Sequence, residues 1–358
     1  MHITSLTLKN FRNYDVQKIN FTPGTNLICG DNAQGKTNIL EAVYLFSHGR
    51  SHRAKKDAEL INFDSPFCMQ EIRFISNNRD FLGQMVIDKN GKKMIKINNI
   101  PITKLSKLMS YLNIVLFSPE DLSLVKGAPS VRRKFMDAAL SQLYPNYMAS
   151  LISYQKALLQ KNSLLKSLKR KGVKSDAGLS AWNVCLEKDA VTIMNYRAEF
   201  LKALSGFAKK IQSEISSEEL TVCYEPNLKS TDNIFEYLEQ QQSREIEYGS
   251  SLFGIQRDDI SIFVANHDTR LFASQGQQRT AALALKISQA DFIQHIKNEY
   301  PILLLDDIMS ELDKGRRKYL WEKIQDKQVL ITCTDIDDIP LSGNAKKFRV
   351  SGGSVTEE

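Results

Sequence analysis

"GDNAQGKTN", residues 30–38, follows the apolar run "NLIC" and leads directly into "ILEAVYLFSHG". The stretch fits G-x-x-x-x-G-K-[ST], and its flanks read as a buried strand ending at Gly30 and a helix starting near Lys36. Ile39, Leu40, Val43, Tyr44 and Phe46 recur at helical spacing. Two glycines in such a turn let backbone amides point inward around a phosphate, at a helix N-terminus that already favours anions. Gly30, Asp31, Asn32, Ala33, Gln34, Gly35, Lys36, Thr37 and Asn38 are therefore the candidate nucleotide-binding residues. Lys36 is placed to neutralise β and γ oxygens, and the Thr37 hydroxyl to ligate Mg²⁺. The bland alternative is a glycine-rich strand-to-helix turn, for which a lysine–threonine pair at this position has no use.

A second stretch, "PILLLDDIMSELD" at 301–313, supplies the acids such a loop needs. Its apolar residues predict a buried strand that emerges at Asp306 and Asp307. Asp306 is the candidate to hold Mg²⁺ through water, and Asp307 to orient or deprotonate the attacking water. Taken alone, a strand ending in two acids is often only a solvated strand end.

Just ahead of this second stretch lies "LFASQGQQRTAAL", 271–283. Its serine, glycine and glutamines offer hydrogen-bonding groups with little apolar area to bury. A P-loop, a serine–glycine–glutamine knot opening a helix, and a buried strand with paired acids occur in an order that resembles the ATP-binding-cassette (ABC) ATPases. That resemblance implies that Ser274, Gly276, Gln278 and Arg279 form the signature motif, which grips the γ-phosphate of ATP held by another subunit. It implies an ATP-dependent homodimer, with "SELD" (310–313) as the loop crossing the dimer seam. A glutamine-rich helix cap is the plainer reading of 274–279.

Strand patterns return from about 67 to 117, with a hairpin around Asn90-Gly91. Residues 131 to about 215 read as helices interrupted by a basic loop, "LKRKGVKSDAG", and sustain no heptad. "ELTVCY" and "SIFVANHDTRLFA" read as strands, and a helix, strand, helix and strand follow to "QVLIT". The expected fold is α/β: an ABC-type ATPase head, a P-loop mixed sheet with an antiparallel β subdomain. A short helical insertion lobe stands in place of a long coiled coil. The expected division is 1–130 and 219–358 for the two parts of the head, and 131–218 for the insertion.

The 358-residue chain is 42% hydrophobic, 25% charged and carries a net charge of +7, a balance that leans toward a polyanionic partner. No run of eighteen apolar residues predicts a membrane span, and "MHITSLTLKNFRNY" lacks the apolar block of a signal peptide. Five scattered cysteines without a CxxC fit reduced thiols of a cytoplasmic protein better than disulfides or zinc. Arg50, Arg53, Lys55 and Lys56, Arg132 and Arg133 with Lys134, and the basic loop near 166–174 are the candidate DNA-binding clusters. No zinc finger, helix-turn-helix or RNA-binding aromatic motif appears, so contact independent of base sequence is expected.

The distance from Lys36 to Ser274 is far longer than transporter ATPases use, which argues against a transporter subunit. Whole segments resemble the RecF family of bacterial recombination mediators: "LTLKNFRNY", "GDNAQGKTNILEAVYLFSHGRSHR", "VLFSPEDLSLVKGAPSVRRKFMD", "RDD" at 257–259, "FASQGQQRTAALALK" and "LLLDDIMSELD". The resemblance implies weak, DNA-stimulated ATP hydrolysis and a homodimer clamped by ATP on duplex, single-stranded or gapped DNA. It also implies help for RecR and RecO in loading RecA. The family's Gly-Pro-His-Arg-Asp-Asp reads "GIQRDD" at 254–259, with Ile255 and Gln256 in place of proline and histidine. On the residues alone, a nucleotide-binding scaffold or another ABC-type ATPase without a clamp role stays open.

Overall fold

The computed structural model describes residues 1–334 and 345–358. The chain forms two compact units, the first made of Met1–Asp121, Glu214–Ser216 and Ala282–Glu358, the second of Leu122–Ser213 and Ser217–Ala281.

The first unit holds two sheets. One has the order Ser354–Glu357, Lys346–Ser351, Thr25–Cys29, Val329–Cys333, Ile302–Asp306 and Ile114–Phe117. All of its pairings are parallel except that of the first two strands. Thr25–Cys29 and Val329–Cys333 are buried at every position, as a strand covered on both faces must be. The other sheet is antiparallel, in the order Tyr14–Asn20, His2–Phe11, Phe67–Ser76, Arg79–Asp88, Lys93–Ile97 and Ile100–Pro101. Phe67–Ser76 alternates between buried and less buried positions, the signature of one face turned to a core.

The helix Lys36–His48 joins both sheets into one core. Ile39, Leu40, Val43 and Phe46 cluster with Leu6, Leu8, Ile72 and Met85 of the antiparallel sheet and with Ile28, Leu304 and Leu330 of the parallel one. The expected P-loop mixed sheet with an antiparallel β subdomain is thus the fold observed. The hairpin expected around Asn90-Gly91 is also present, closed by a bond from Gly91 N to the Asp88 carbonyl at 2.9 Å.

The second unit contains the helices Pro129–Leu143, Pro145–Lys171 and Ala177–Ile215. The 27-residue helix stops at Gly172, whose φ of 68° takes the left-handed cap a side chain disfavours, and the basic loop joins it to Ala177–Ile215 as the tip of a helical hairpin. Leu220–Glu225, Asp259–Val264 and His267–Asp268 form a three-stranded antiparallel sheet. "SIFVANHDTRLFA" is therefore a hairpin where one strand was expected. Ala265 and Asn266, at φ 49° and 64°, make the two-residue turn with both φ angles positive that right-twisted strands prefer.

Arg197, 1% exposed, is the polar centre of this unit. It donates to the Asp258 carboxylate at 2.7 Å, the Ile255 carbonyl at 2.9 Å and the Asp137 carboxylate at 2.9 Å. Asp258 accepts in turn from Tyr224 at 2.5 Å and from Asn227 N at 2.8 Å. Gln256, the departure from the family's histidine, accepts a bond from the Tyr154 hydroxyl at 2.6 Å and donates to the Phe253 carbonyl at 2.8 Å. Its amide thus serves as acceptor and donor at once, inside a structural network.

Candidate nucleotide site

The site is built where three adjacent parallel strands end. Thr25–Cys29 delivers Gly30, Ile302–Asp306 delivers the acids, and Val329–Cys333 lies between them. Ligands of open parallel sheets bind at these carboxyl ends. Gly30 and Gly35 have φ of 155° and 116°, which side chains rarely adopt. A Cβ on Gly30 would lie 2.3 Å from the Val350 carbonyl oxygen, and one on Gly35 would lie 2.6 Å from the Asn13 amide. Both glycines are therefore required by backbone conformation and by close packing.

Lys36 is 4% exposed, yet its ammonium lies inside the loop, donating to the carbonyls of Gly30 at 2.6 Å and Asp31 at 3.1 Å. Those carbonyls stand where phosphate oxygens would compete for the same charge. Thr37 Oγ1 donates to Asp306 Oδ1 at 2.9 Å, bringing a hydroxyl and a carboxylate 269 residues apart in sequence together. This all-oxygen donor pair suits a hard divalent cation such as Mg²⁺. Asp31, Asn32 and Ala33 are exposed along the loop, Gln34 and Asn38 less so.

Asp307 has φ 50°, a left-handed conformation that turns the chain sharply at the strand end. Burial raises its carboxyl above the ordinary aspartate range; the Asp306 charge adds to this, while Lys36 and Thr332 oppose it. A carboxylate with raised proton affinity beside a phosphate loop has the chemistry of a base for water.

Sequence reasoning missed three supports of this site. Asn13 donates to the Gln34 carbonyl at 2.8 Å and accepts from the Asn38 side chain at 2.8 Å. The Tyr14 hydroxyl donates to the Gly35 carbonyl at 3.0 Å. Thr332 donates to Asp306 Oδ1 at 2.9 Å and accepts from Asp307 N at 3.0 Å, so one hydroxyl aligns both acids. The only sequence signals were polar side chains in an otherwise apolar turn, "FRNY", and a threonine closing "QVLIT".

The signature residues belong to the second unit. Ser274 and Gln277 form a reciprocal capping box: Ser274 Oγ accepts from Gln277 N at 3.2 Å, and Ser274 N donates to Gln277 Oε1 at 2.7 Å. The helix they start, Gln275–Lys297, is 23 residues long. Ser274 is exposed and Gly276 half-buried at its N-terminus, where a phosphate would be favoured. Gln278 is 6% exposed, and its amide nitrogen braces the preceding loop, donating to the carbonyls of Ala273 at 2.9 Å and Thr269 at 3.3 Å.

The basic clusters separate in the same way. Arg50, Lys55 and Lys56 are exposed. Arg53, 46% exposed, reaches Asn38 Oδ1 at 3.1 Å and lies 3.8 Å from Glu41, which also pairs with Arg12 at 2.8 Å. It is thereby attached to the first turns of the P-loop helix. Arg132 is corrected: it is 1% exposed and grips Asp259 through two nitrogens at 2.6 and 2.9 Å. A guanidinium so occupied has no face left for DNA. Arg133 is only half-buried but spends one nitrogen on the Asp258 carbonyl at 2.8 Å. Among the described residues no helix is long and apolar enough to cross a membrane.

A phosphate loop and paired acids at the ends of parallel strands, with an antiparallel subdomain on the P-loop helix, define an ATPase head of the ABC type. A solved Smc head domain of Pyrococcus furiosus shares this fold, with a TM-score of 0.56 at 17% identity over 100% of this chain and 96% of that one. The family described as "RecF/RecN/SMC N terminal domain" matches residues 2–344. The "DNA replication and repair protein RecF" of Halalkalibacterium halodurans is 42% identical over 100% of both chains. The recombination mediator RecF-ATP of the RecFOR pathway superimposes with a TM-score of 0.92 at 34% identity, covering 100% of this chain and 97% of that one. The chain belongs to the RecF family of DNA replication and repair proteins.

Proposed function

We propose that this chain is an ATP-timed DNA clamp of recombinational gap repair. One observation carries the nucleotide part: Lys36, Thr37, Asp306 and Asp307 converge at neighbouring strand ends, with Thr37 and Asp306 bonded at 2.9 Å. Amides of residues 30–38 and the Lys36 ammonium hold the phosphates of ATP. Thr37 and Asp306 would hold Mg²⁺, which would supply positive charge against the phosphates. Asp307 accepts a proton from, or orients, the attacking water, and Thr332 keeps both acids in line.

The capped helix start at Ser274 and Gly276 closes on the γ-phosphate held by a second copy, so ATP makes the homodimer. Exposed Arg50, Lys55 and Lys56 contact the DNA backbone, which releases counterions without reading base sequence. Hydrolysis is weak, stimulated by DNA, and opens the clamp. The name of the RecFOR pathway in which the RecF-ATP relative was solved supports partnership with RecR and RecO, and through them RecA loading.

The test is retention of a gapped duplex by wild type and Lys36→Met, with and without MgATP, alongside direct MgATP binding. ATP-dependent retention lost in Lys36→Met is expected. Retention that ignores both ATP and Lys36 refutes the clamp and leaves a scaffold.

A further inference from the structure

Cys29 and Cys333 are paired directly across two parallel strands, and their Sγ atoms lie 2.9 Å apart. Each is 6% exposed. Cys29 immediately precedes Gly30, whose carbonyl holds Lys36, and Cys333 immediately follows Thr332, which aligns Asp306 and Asp307. Neighbouring strands run about 4.8 Å apart, within the roughly 4.4–6.8 Å Cα separation a disulfide spans. The register therefore brings the two sulfurs close to bonding distance, and the remaining gap is closed by movement of the strand ends that carry them.

We infer that Cys29 and Cys333 form a reversible disulfide that switches off the nucleotide site. This rests on the nucleotide reading above. The oxidant is hydrogen peroxide. The Cys29 sulfur takes one peroxide oxygen, the O–O bond breaks and the second oxygen leaves as water. The Cys333 sulfur then attacks the Cys29 sulfenic acid. An S–S bond forms, the S–O bond breaks and a second water departs, so two thiols lose two electrons and the peroxide gains them.

The hydrogen bond with Cys333 holds the Cys29 thiol below the ordinary range against the effect of burial, whereas Cys333 is raised by the same bond. Drawing the sulfurs from 2.9 Å to a bond of about 2.05 Å displaces the strand ends that carry the Lys36 anchor and the Thr332 brace. Misplacement of that order costs roughly 10- to 100-fold in turnover.

The experiment treats full-length protein with hydrogen peroxide, maps disulfides by mass spectrometry, and measures MgATP binding and hydrolysis before treatment, after it, and after dithiothreitol. Cys333→Ser and Cys29→Ala are treated in parallel. Expected are a Cys29–Cys333 linked peptide, a fall in turnover of at least about 10-fold restored by dithiothreitol, and no peroxide effect in either variant. No linked peptide, or a linked protein of unchanged turnover, overturns the switch. Reduced protein that never holds MgATP overturns the nucleotide reading itself, and the switch with it.

Discussion

Arg132→Ala separates fold from DNA contact at a residue whose sequence context, "SVRRKF", looks like part of a basic patch. Its guanidinium makes two bonds to Asp259 and a third to the Gly127 carbonyl at 2.8 Å. Removing one partner of a buried pair costs about 3–5 kcal/mol, chiefly because the remaining charge is left uncompensated. Asp259 is 21% exposed on its side chain and keeps Arg270 at 3.6 Å, so water and that second cation recover part of the loss. The expected destabilisation is about 2–4 kcal/mol, or a fall in melting temperature of about 5–15 °C for a unit of this size. Calorimetry measures it. The companion measurement is the salt dependence of DNA affinity below the melting transition. Each phosphate contact contributes about 0.9 to the log–log slope. Arg132→Ala leaves that slope unchanged, whereas Lys55→Ala with Lys56→Ala lowers it by about 2. An Arg132→Ala protein of wild-type stability and reduced slope would refute the assignment of Arg132 to the core.

Substitutions at two further sites test the polar interior. Burial opposes ionisation of Glu41, but bonds from Arg12 and Ser51 and the charges of Arg12 and Arg53 hold its carboxyl below the ordinary 4.5. A depressed folded value contributes stability that is present above the unfolded value and lost as pH falls through the folded one. Glu41→Gln should therefore lower stability at neutral pH and flatten the acid limb below about 4.5, as read by urea titration across pH; an unchanged acid limb would contradict it. Lys161 and Glu245 are both 0% exposed and 2.6 Å apart. Lys161→Met alone should cost about 3–5 kcal/mol in chemical denaturation. Adding Glu245→Gln should restore most of it, because Gln retains an acceptor for Ser251 and Leu252 N. A double variant as weak as the single one would show that charge is not what the pair supplies.

How much the sequence disclosed depended on how local each feature is. The P-loop was legible because glycine conformation, strand end and helix start lie within nine residues, and "ILLLDD" because a fully buried strand has its own pattern. The supports were not legible. Asn13, Tyr14 and Thr332 reach the loop and acids through tertiary contacts that no local spacing encodes. Arg132 and Arg133 are adjacent and chemically identical, so only helix phase separates a core guanidinium from a half-exposed one. The burial of Gln278 was hidden for the same reason, since a polar residue beside a signature serine can turn inward to brace a loop. The hairpin at Ala265-Asn266 lacked the glycine that usually marks such a turn.

The central claim is that ATP joins two copies through Ser274 and Gly276. Light scattering on the pure protein, without nucleotide and with MgATP, tests it in wild type and in Ser274→Arg. Circular dichroism serves as a control, because loss of the cap costs only about 1 kcal/mol and should leave the fold intact. The account predicts that MgATP doubles the wild-type mass and that folded Ser274→Arg stays monomeric while still binding MgATP. A wild-type mass unchanged by MgATP, or a Ser274→Arg protein that doubles as readily, would contradict it.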